Sequence, residues 1–210
     1  YKMAITASEV NKLRQQTGAG MMDCKNALVE SNGDFETAVD FLRKKGQKIA
    51  AKRGENDAKE GIIIAQSTGD SKAGVIVTLN CETDFVAKND GYVQLVQSLV
   101  DLALDRLPKS LDELKGLAYN EKLSVEEKIT EQIGILGEKL DLSAYAIIES
   151  EKVVAYNHPG NQLATLVALN INSDNADDAG KQVAMQVAAM NPIAVNKDGI
   201  DSKTIEREIE

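Results

Sequence analysis

One histidine, two cysteines and three phenylalanines among 210 residues restrict the chemistry open to this chain. The single histidine, His158, stands in a turn-like run between Asn157 and Pro159. A Ser-His-Asp or Cys-His arrangement would have to be built on it, and no nucleophile signature accompanies it. His158 reads as a turn residue, satisfied or exposed, or as an interface contact. Cys24 and Cys81 lie far apart without CxxC or other ligand spacing, the pattern of two reduced, mostly buried thiols in a cytoplasmic protein. No metal spacing emerges. No apolar run approaches the roughly eighteen residues that a membrane helix needs. The start, Tyr1-Lys2-Met3-Ala4-Ile5, lacks the charged-then-apolar order of a signal peptide, and Tyr1-Lys2 ahead of Met3 reads as an appended start. No Gly-x-x-x-x-Gly-Lys-Ser/Thr loop is present, and Gly18-Ala19-Gly20 does not follow a strand, so no direct nucleotide binding is expected. A net charge of −9 argues against a general nucleic-acid binder and fits a protein that works among RNA without being held by it.

What is present is ample core material, with 43% hydrophobic residues, in a length that suits one large domain or two to three small ones. Residues 6 to 46 read as three short helices. Thr6 and Glu9 form a capping box, followed by Val10 and Leu13 at helical spacing until Thr17-Gly18-Ala19-Gly20. Asp23 is placed to cap a second helix that ends at Asn32-Gly33. Asp34 is placed to cap a third, with Phe35, Ala38, Val39 and Leu42 as its apolar stripe and Gly46 as its stop. A basic stretch from Arg43 to Arg53 follows, then a linker at Gly54-Glu55-Asn56-Asp57.

From Gly61 the period changes from helix to strand. Ile62-Ile63-Ile64-Ala65 and Val75-Ile76-Val77-Thr78-Leu79 are β-branched runs flanking the turn signals Ser67 to Ser71, which predicts a hairpin. A helix is expected from Asn89, with Tyr92, Leu95, Val96, Leu99, Val100 and Ala103 on one side, and two more near 111–117 and 125–139. A second hairpin is expected to run from Tyr145-Ala146-Ile147-Ile148 through Val154 and to return along 163–169. A helix from Asp177 to Met190 follows, stopped by Asn191-Pro192. Val77-Thr78-Leu79-Asn80 and Val167-Ala168-Leu169-Asn170 each lead through a polar loop to a helix. The fold class is therefore α+β, with two related subdomains of antiparallel hairpins packed with helices.

Two places stand out. Glu82-Thr83-Asp84-Phe85-Val86-Ala87-Lys88 lies where a strand has ended and a helix has not begun. Phe85 is either tucked under that loop as a local anchor or held out as an aromatic contact for a partner. The pair Met21-Met22 either plugs the helical core or makes a soft apolar surface beside Arg14.

The run Leu13-Arg14-Gln15-Gln16-Thr17-Gly18-Ala19-Gly20-Met21-Met22-Asp23-Cys24-Lys25-Asn26-Ala27-Leu28 resembles the N-terminal signature of the elongation factor Ts family. Asn80-Cys81-Glu82-Thr83-Asp84-Phe85-Val86-Ala87-Lys88 is similar to that family's loop signature, and the likeness of layout covers nearly the whole chain. The resemblance implies an N-terminal three-helix module of the ubiquitin-associated type. It implies guanine nucleotide exchange on elongation factor Tu, GDP-bound and nucleotide-free, in the cytoplasm, without cofactor or covalent chemistry. Thr83, Asp84, Phe85 and Val86 would enter the GTPase near its magnesium site and switch II helix. Val10, Leu13, Arg14, Met21, Met22 and Lys25 would meet a helix of its nucleotide domain, and His158 a more distal domain. Asn11 departs from the family, where a basic residue is common, which implies a weaker contact there.

The domain division expected is 1–54 for the bundle and basic linker, 55–141 and 142–200 for the two subdomains, and 201–210 for the start of a truncated helix. Family members continue beyond Glu210, so dimerisation through segments absent from this chain belongs to the same expectation. Three other readings compete. An RNA- or ribosome-associated protein would use Arg43 to Arg53 and lose affinity steeply with salt. A scaffold would bind unrelated partners through residues 1–54 alone, and an enzyme of unrecognised type ranks last.

Overall fold

The computed structural model describes residues 5–209; Tyr1–Ala4, including the start read above as appended, and Glu210 lie outside the described residues. The chain opens with helices α1 (Ala7–Thr17), α2 (Met21–Glu30) and α3 (Phe35–Arg53). The capping box forms: Thr6 Oγ1 accepts from the Glu9 N–H at 3.3 Å and Glu9 Oε2 accepts from the Thr6 N–H at 2.8 Å. Val10, Leu13, Cys24, Ala27, Leu28 and Ala38 close into a small buried cluster between the helices.

Two boundaries of the bundle differ from the sequence expectation, and further on the helix expected over 125–139 ends at Leu136. Gly20, not Asp23, is the residue before α2, so Asp23 sits inside the first turn, where the helix dipole favours an acid, and pairs with Lys45 at 2.5 Å. α3 does not stop at Gly46 but runs on to Arg53, so the basic stretch is helix and not linker. Gly46 is instead a crossing point. A Cβ there would lie 2.8 Å from the Thr130 carbonyl oxygen, and a Cβ at Gly134 would lie 2.8 Å from Gly46 Cα. The glycine read as a helix stop is one that lets two helix backbones approach.

Strands β1 (Glu60–Ser67) and β2 (Ala73–Cys81) form the expected hairpin, with Ile64 opposite Val77. The chain then makes α4 (Asp84–Ala87), α5 (Asp90–Arg106), α6 (Leu111–Gly116) and α7 (Val125–Leu136) before β3 (Leu140–Glu149), which pairs with the free edge of β2. Asn89 caps α5, accepting from the N–H groups of Gly91 and Tyr92. The six apolar positions read from the sequence, Tyr92 through Ala103, are all buried, sharing one cluster with Val75, Val77 and Leu79 of the sheet. Tyr92 donates its buried hydroxyl to the Leu79 carbonyl at 2.5 Å. α7 ends at Gly137 in the left-handed region, φ 73°, which turns the chain through Glu138-Lys139 into β3.

The second sheet has two strands, β4 (Lys152–Asn157) and β5 (Ala164–Leu169), packed on α8 (Ala176–Met190); a 3₁₀ turn and α9 (Ser202–Ile209) follow. Here the expected hairpin needs correction. Tyr145 to Ile148 do not join it but lie in β3, with Tyr145 opposite Val77 and Ile148 opposite Gly74. The strand-like run from Tyr145 to Val154 is two strands broken at Ser150-Glu151, and its first half covers an edge of β2 that would otherwise be open. The boundary expected between residues 141 and 142 thus falls inside β3. The β4–β5 turn closes the far edge of the first sheet. Asn157 accepts from the Ala65 N–H and donates to the Ala65 carbonyl, both at 2.8 Å, and the Asn161 carbonyl accepts from the Ile63 N–H. The architecture is mixed helix and sheet, α+β.

Candidate functional site

The segment after β2 folds as a tight, tethered turn. Thr83 caps the four-residue α4: its hydroxyl accepts from the Val86 N–H at 3.4 Å and donates to Glu138 Oε1 at 2.7 Å. The Thr83 N–H donates to the other oxygen of the same carboxylate at 3.1 Å. Glu82 is also fully engaged, accepting from Arg53 Nη1 at 2.8 and 3.0 Å, from Asn56 Nδ2 at 3.0 Å and from the Lys139 N–H at 2.6 Å. The Lys139 N–H, ahead of the side-chain donors, holds the Glu82 carboxyl below its ordinary range. Val86 packs partly into the core and Ala87 is buried. Phe85, just ahead of them, is 83% exposed.

The structure excludes the first option for Phe85: the ring is not tucked under the turn but stands exposed, and the turn is anchored by its neighbours. Asp84 pairs with Lys88 at 2.7 Å on the surface, and that bond keeps its carboxyl below the usual range. Cys81, just before the turn, is buried and points its thiol at the Thr83 carbonyl. Burial pushes the thiol's pKa up, which disfavours the thiolate a nucleophile needs.

The N-terminal candidates divide by depth. Met21 and Met22 are 52% and 64% exposed, and Asn11, Arg14 and Lys25 are exposed as well. Val10 and Leu13 are buried, Leu13 completely, so these two offer a partner no direct contact; they seat α1 on the bundle. His158 is exposed in the β4–β5 turn, its Nδ1 2.9 Å from the Tyr156 hydroxyl. Asp84-Phe85 and the Met21-Met22 surface are carried by different elements, with α3 running from the bundle to the Glu82 side of the turn.

The basic stretch is partly consumed internally. Arg43 pairs with Glu127 at 3.8 Å, Lys45 with Asp23, and Arg53 with Glu82. Among the described residues no group of three or more His, Cys, Asp or Glu side chains is arranged for a metal, and no helix is long and apolar enough to cross a membrane. Sequence reasoning gave no role to Glu138 or Lys139 and read Arg53 only as the end of the basic stretch. Glu138 is separated from Thr83 by 55 positions, and nothing in a single sequence pairs the two.

Fold and site together define an α+β protein with an exposed aromatic side chain on a turn tethered by two carboxylates, and an exposed methionine pair on a helical module. The family model described as "Elongation factor TS" matches residues 82–210. The chain is 52% identical over 206 residues to "Elongation factor Ts" of Christiangramia forsetii, covering 98% of this chain and 74% of that one. It is 51% identical over 208 residues to the protein of that name from Amoebophilus asiaticus, covering 99% and 75%. With the one from Bacteroides thetaiotaomicron it shares 49% over 208 residues, 99% of this chain and 62% of the other. The chain belongs to the elongation factor Ts family, whose members are elongation factors of protein biosynthesis.

Proposed function

We propose that this chain binds elongation factor Tu, GDP-bound and nucleotide-free, and promotes GDP release by inserting the Asp84-Phe85 turn near the magnesium and switch II region. Phe85 carries the reading. A large ring left 83% exposed on a turn held by two carboxylates is prepared for burial elsewhere. Thr83 and Val86 fix the turn, Phe85 acts as the wedge, and Asp84 perturbs the surroundings of the metal that neutralises phosphate charge. Arg14, Met21, Met22 and Lys25 supply grip that does not depend on nucleotide, with Val10 and Leu13 seating the helix beneath them. The bundle is a ubiquitin-associated-like module, and His158 meets a more distal domain of the GTPase.

The units of action follow the division 1–54, 55–141, 142–200 and 201–210, except that the boundary at 141 moves to the end of β3, which belongs to the first sheet. The work is exchange, without covalent chemistry, cofactor or direct nucleotide binding, and its place is the cytoplasm. Thermodynamic linkage supplies the mechanism: a factor that binds best when nucleotide is absent must weaken nucleotide by the same ratio.

The test is release of a fluorescent GDP from elongation factor Tu under excess unlabelled GDP, with and without the chain. Phe85→Ala is expected to lose on the order of 2 kcal/mol of coupling, about thirtyfold in the accelerated rate. Release at the wild-type rate by that variant would overturn the wedge.

A further inference from the structure

An exposed ring cannot be aimed by its own packing, so the direction of Phe85 is set by the backbone of residues 83–86. That backbone hangs from side chains remote in sequence. Both oxygens of Glu138, at the α7–β3 junction, are taken by Thr83, one by its N–H and one by its hydroxyl. Both oxygens of Glu82 are taken by Arg53, Asn56 and the Lys139 N–H. Lys139 Nζ in turn donates to the carbonyls of Gly54 at 2.8 Å and Asn56 at 2.9 Å, just past the end of α3. Three chain segments therefore meet at one polar joint: the end of α3, the α7–β3 junction and the turn that carries Phe85. Charge-assisted bonds of this kind are the stronger class, and a carboxylate with both oxygens engaged has few alternative geometries.

We infer that Glu138 and Glu82 are positioning residues for the Phe85 turn, and that through Arg53 the joint holds that turn in fixed relation to α3 and the methionine surface. The inference rests on the exchange reading for its consequence, but not for its geometry. A wedge works only if the element behind it resists displacement. A turn cut loose from Glu138 still reaches the partner but yields instead of pushing. The rate at saturation should then fall, while the concentration needed for half-saturation, set largely by the helical module, should stay near its original value.

The chain has no tryptophan, so Phe85→Trp places a single reporter on the turn. Time-resolved emission anisotropy of the free protein then measures its nanosecond motion. Adding Glu138→Ala is expected to increase the amplitude of that motion while far-UV circular dichroism stays unchanged. Glu138→Gln, which keeps one acceptor for Thr83, should give an intermediate amplitude and serves also if the alanine variant folds poorly. Glu149→Ala, which breaks only the exposed pair with Lys109, should change nothing.

With Phe85 in place, Glu138→Ala should lower the maximal rate of GDP release about tenfold or more while moving the half-saturating concentration by less than about threefold. Unchanged anisotropy in both Glu138 variants would overturn the joint. A raised half-saturating concentration with an unchanged maximal rate would overturn its role in the wedge. If the wild-type chain does not accelerate release, the exchange reading fails alone, and the anisotropy still decides the joint.

Discussion

Leaving a phenylalanine ring in water forgoes about 25 cal/mol for each Å² that could have been buried, so an exposed ring needs neighbours that compensate for it. At Phe85 the compensation is electrostatic. Glu82 is the residue where this can be read by titration. Its carboxyl is held below the ordinary glutamate range, first by the Lys139 N–H and then by Asn56 and Arg53. A depressed folded-state pKa means that the stabilisation is fully present above the unfolded value and is lost as pH falls through the folded one. The window therefore lies below about pH 4.5. Glu82→Gln cannot titrate there. Thermal unfolding followed from pH 7 to pH 3 should show wild type melting higher at neutral pH and the gap to Glu82→Gln closing on the acid side. Other depressed carboxyls, such as Asp34 and Asp70, act equally in both proteins and drop out of the difference. Parallel curves would show that the Glu82 carboxylate contributes nothing specific.

At the scale of elements, amphipathic period and caps were legible and close approaches were not. The six buried positions of α5 follow from spacing alone, as does the β1–β2 hairpin, because local pattern and final burial agree there. Gly46 misled because glycine at a helix end and glycine at a helix crossing look identical in sequence; the partner, Gly134, lies far along the chain. The run from Tyr145 to Val154 misled for a related reason, since a strand's pattern does not name its neighbour. At the site, the motif residues were legible, but depth was not: Leu13 and Met22 belong to one signature, yet one is buried and the other open. The crossing gives a test whose sign is decisive. At an exposed mid-helix position Gly→Ala stabilises by about 0.4–1 kcal/mol. At Gly46 the added methyl would sit 2.8 Å from the backbone oxygen of Thr130, so overpacking of about 1–3 kcal/mol should outweigh it. Urea unfolding of Gly46→Ala should show net destabilisation, and a gain in stability would mean that the two helices part without cost.

For the molecule as a whole, the question is whether the helical module is an independent body or part of one cooperative unit. Three helices with a core as small as Val10, Leu13, Cys24, Ala27, Leu28 and Ala38 are marginal on their own. The packing shows where the missing stability comes from. Ile135 of α7 packs into the module's cluster, while Ile49 and Ala50 of α3 pack into the cluster under the first sheet. Each core thus borrows a side of the other, and the Arg53–Glu82 pair closes the same boundary at 2.8 Å. Unfolding the module alone would strip apolar cover from the sheet's core, so the two should melt together. Two intrinsic signals separate them. Four of the five tyrosines, Tyr92, Tyr119, Tyr145 and Tyr156, follow α3 and report on the sheet region once Tyr1 is replaced by Ser, whereas helical dichroism includes α1, α2 and α3. In wild type the two signals should give coincident transitions in urea, the usual sign of two-state behaviour. In Gly134→Leu, whose side chain would enter the space now held by Gly46, helicity should fall at lower urea than the tyrosine signal. Such a variant would keep a folded turn around Phe85 while losing the fixed relation between that turn and the methionine surface. Its exchange activity would then measure how much of the proposed function depends on the two surfaces being held as one body. Separate transitions already in wild type would show that the module is tethered and not built in, and the crossing of Gly46 with Gly134 would carry no mechanical meaning.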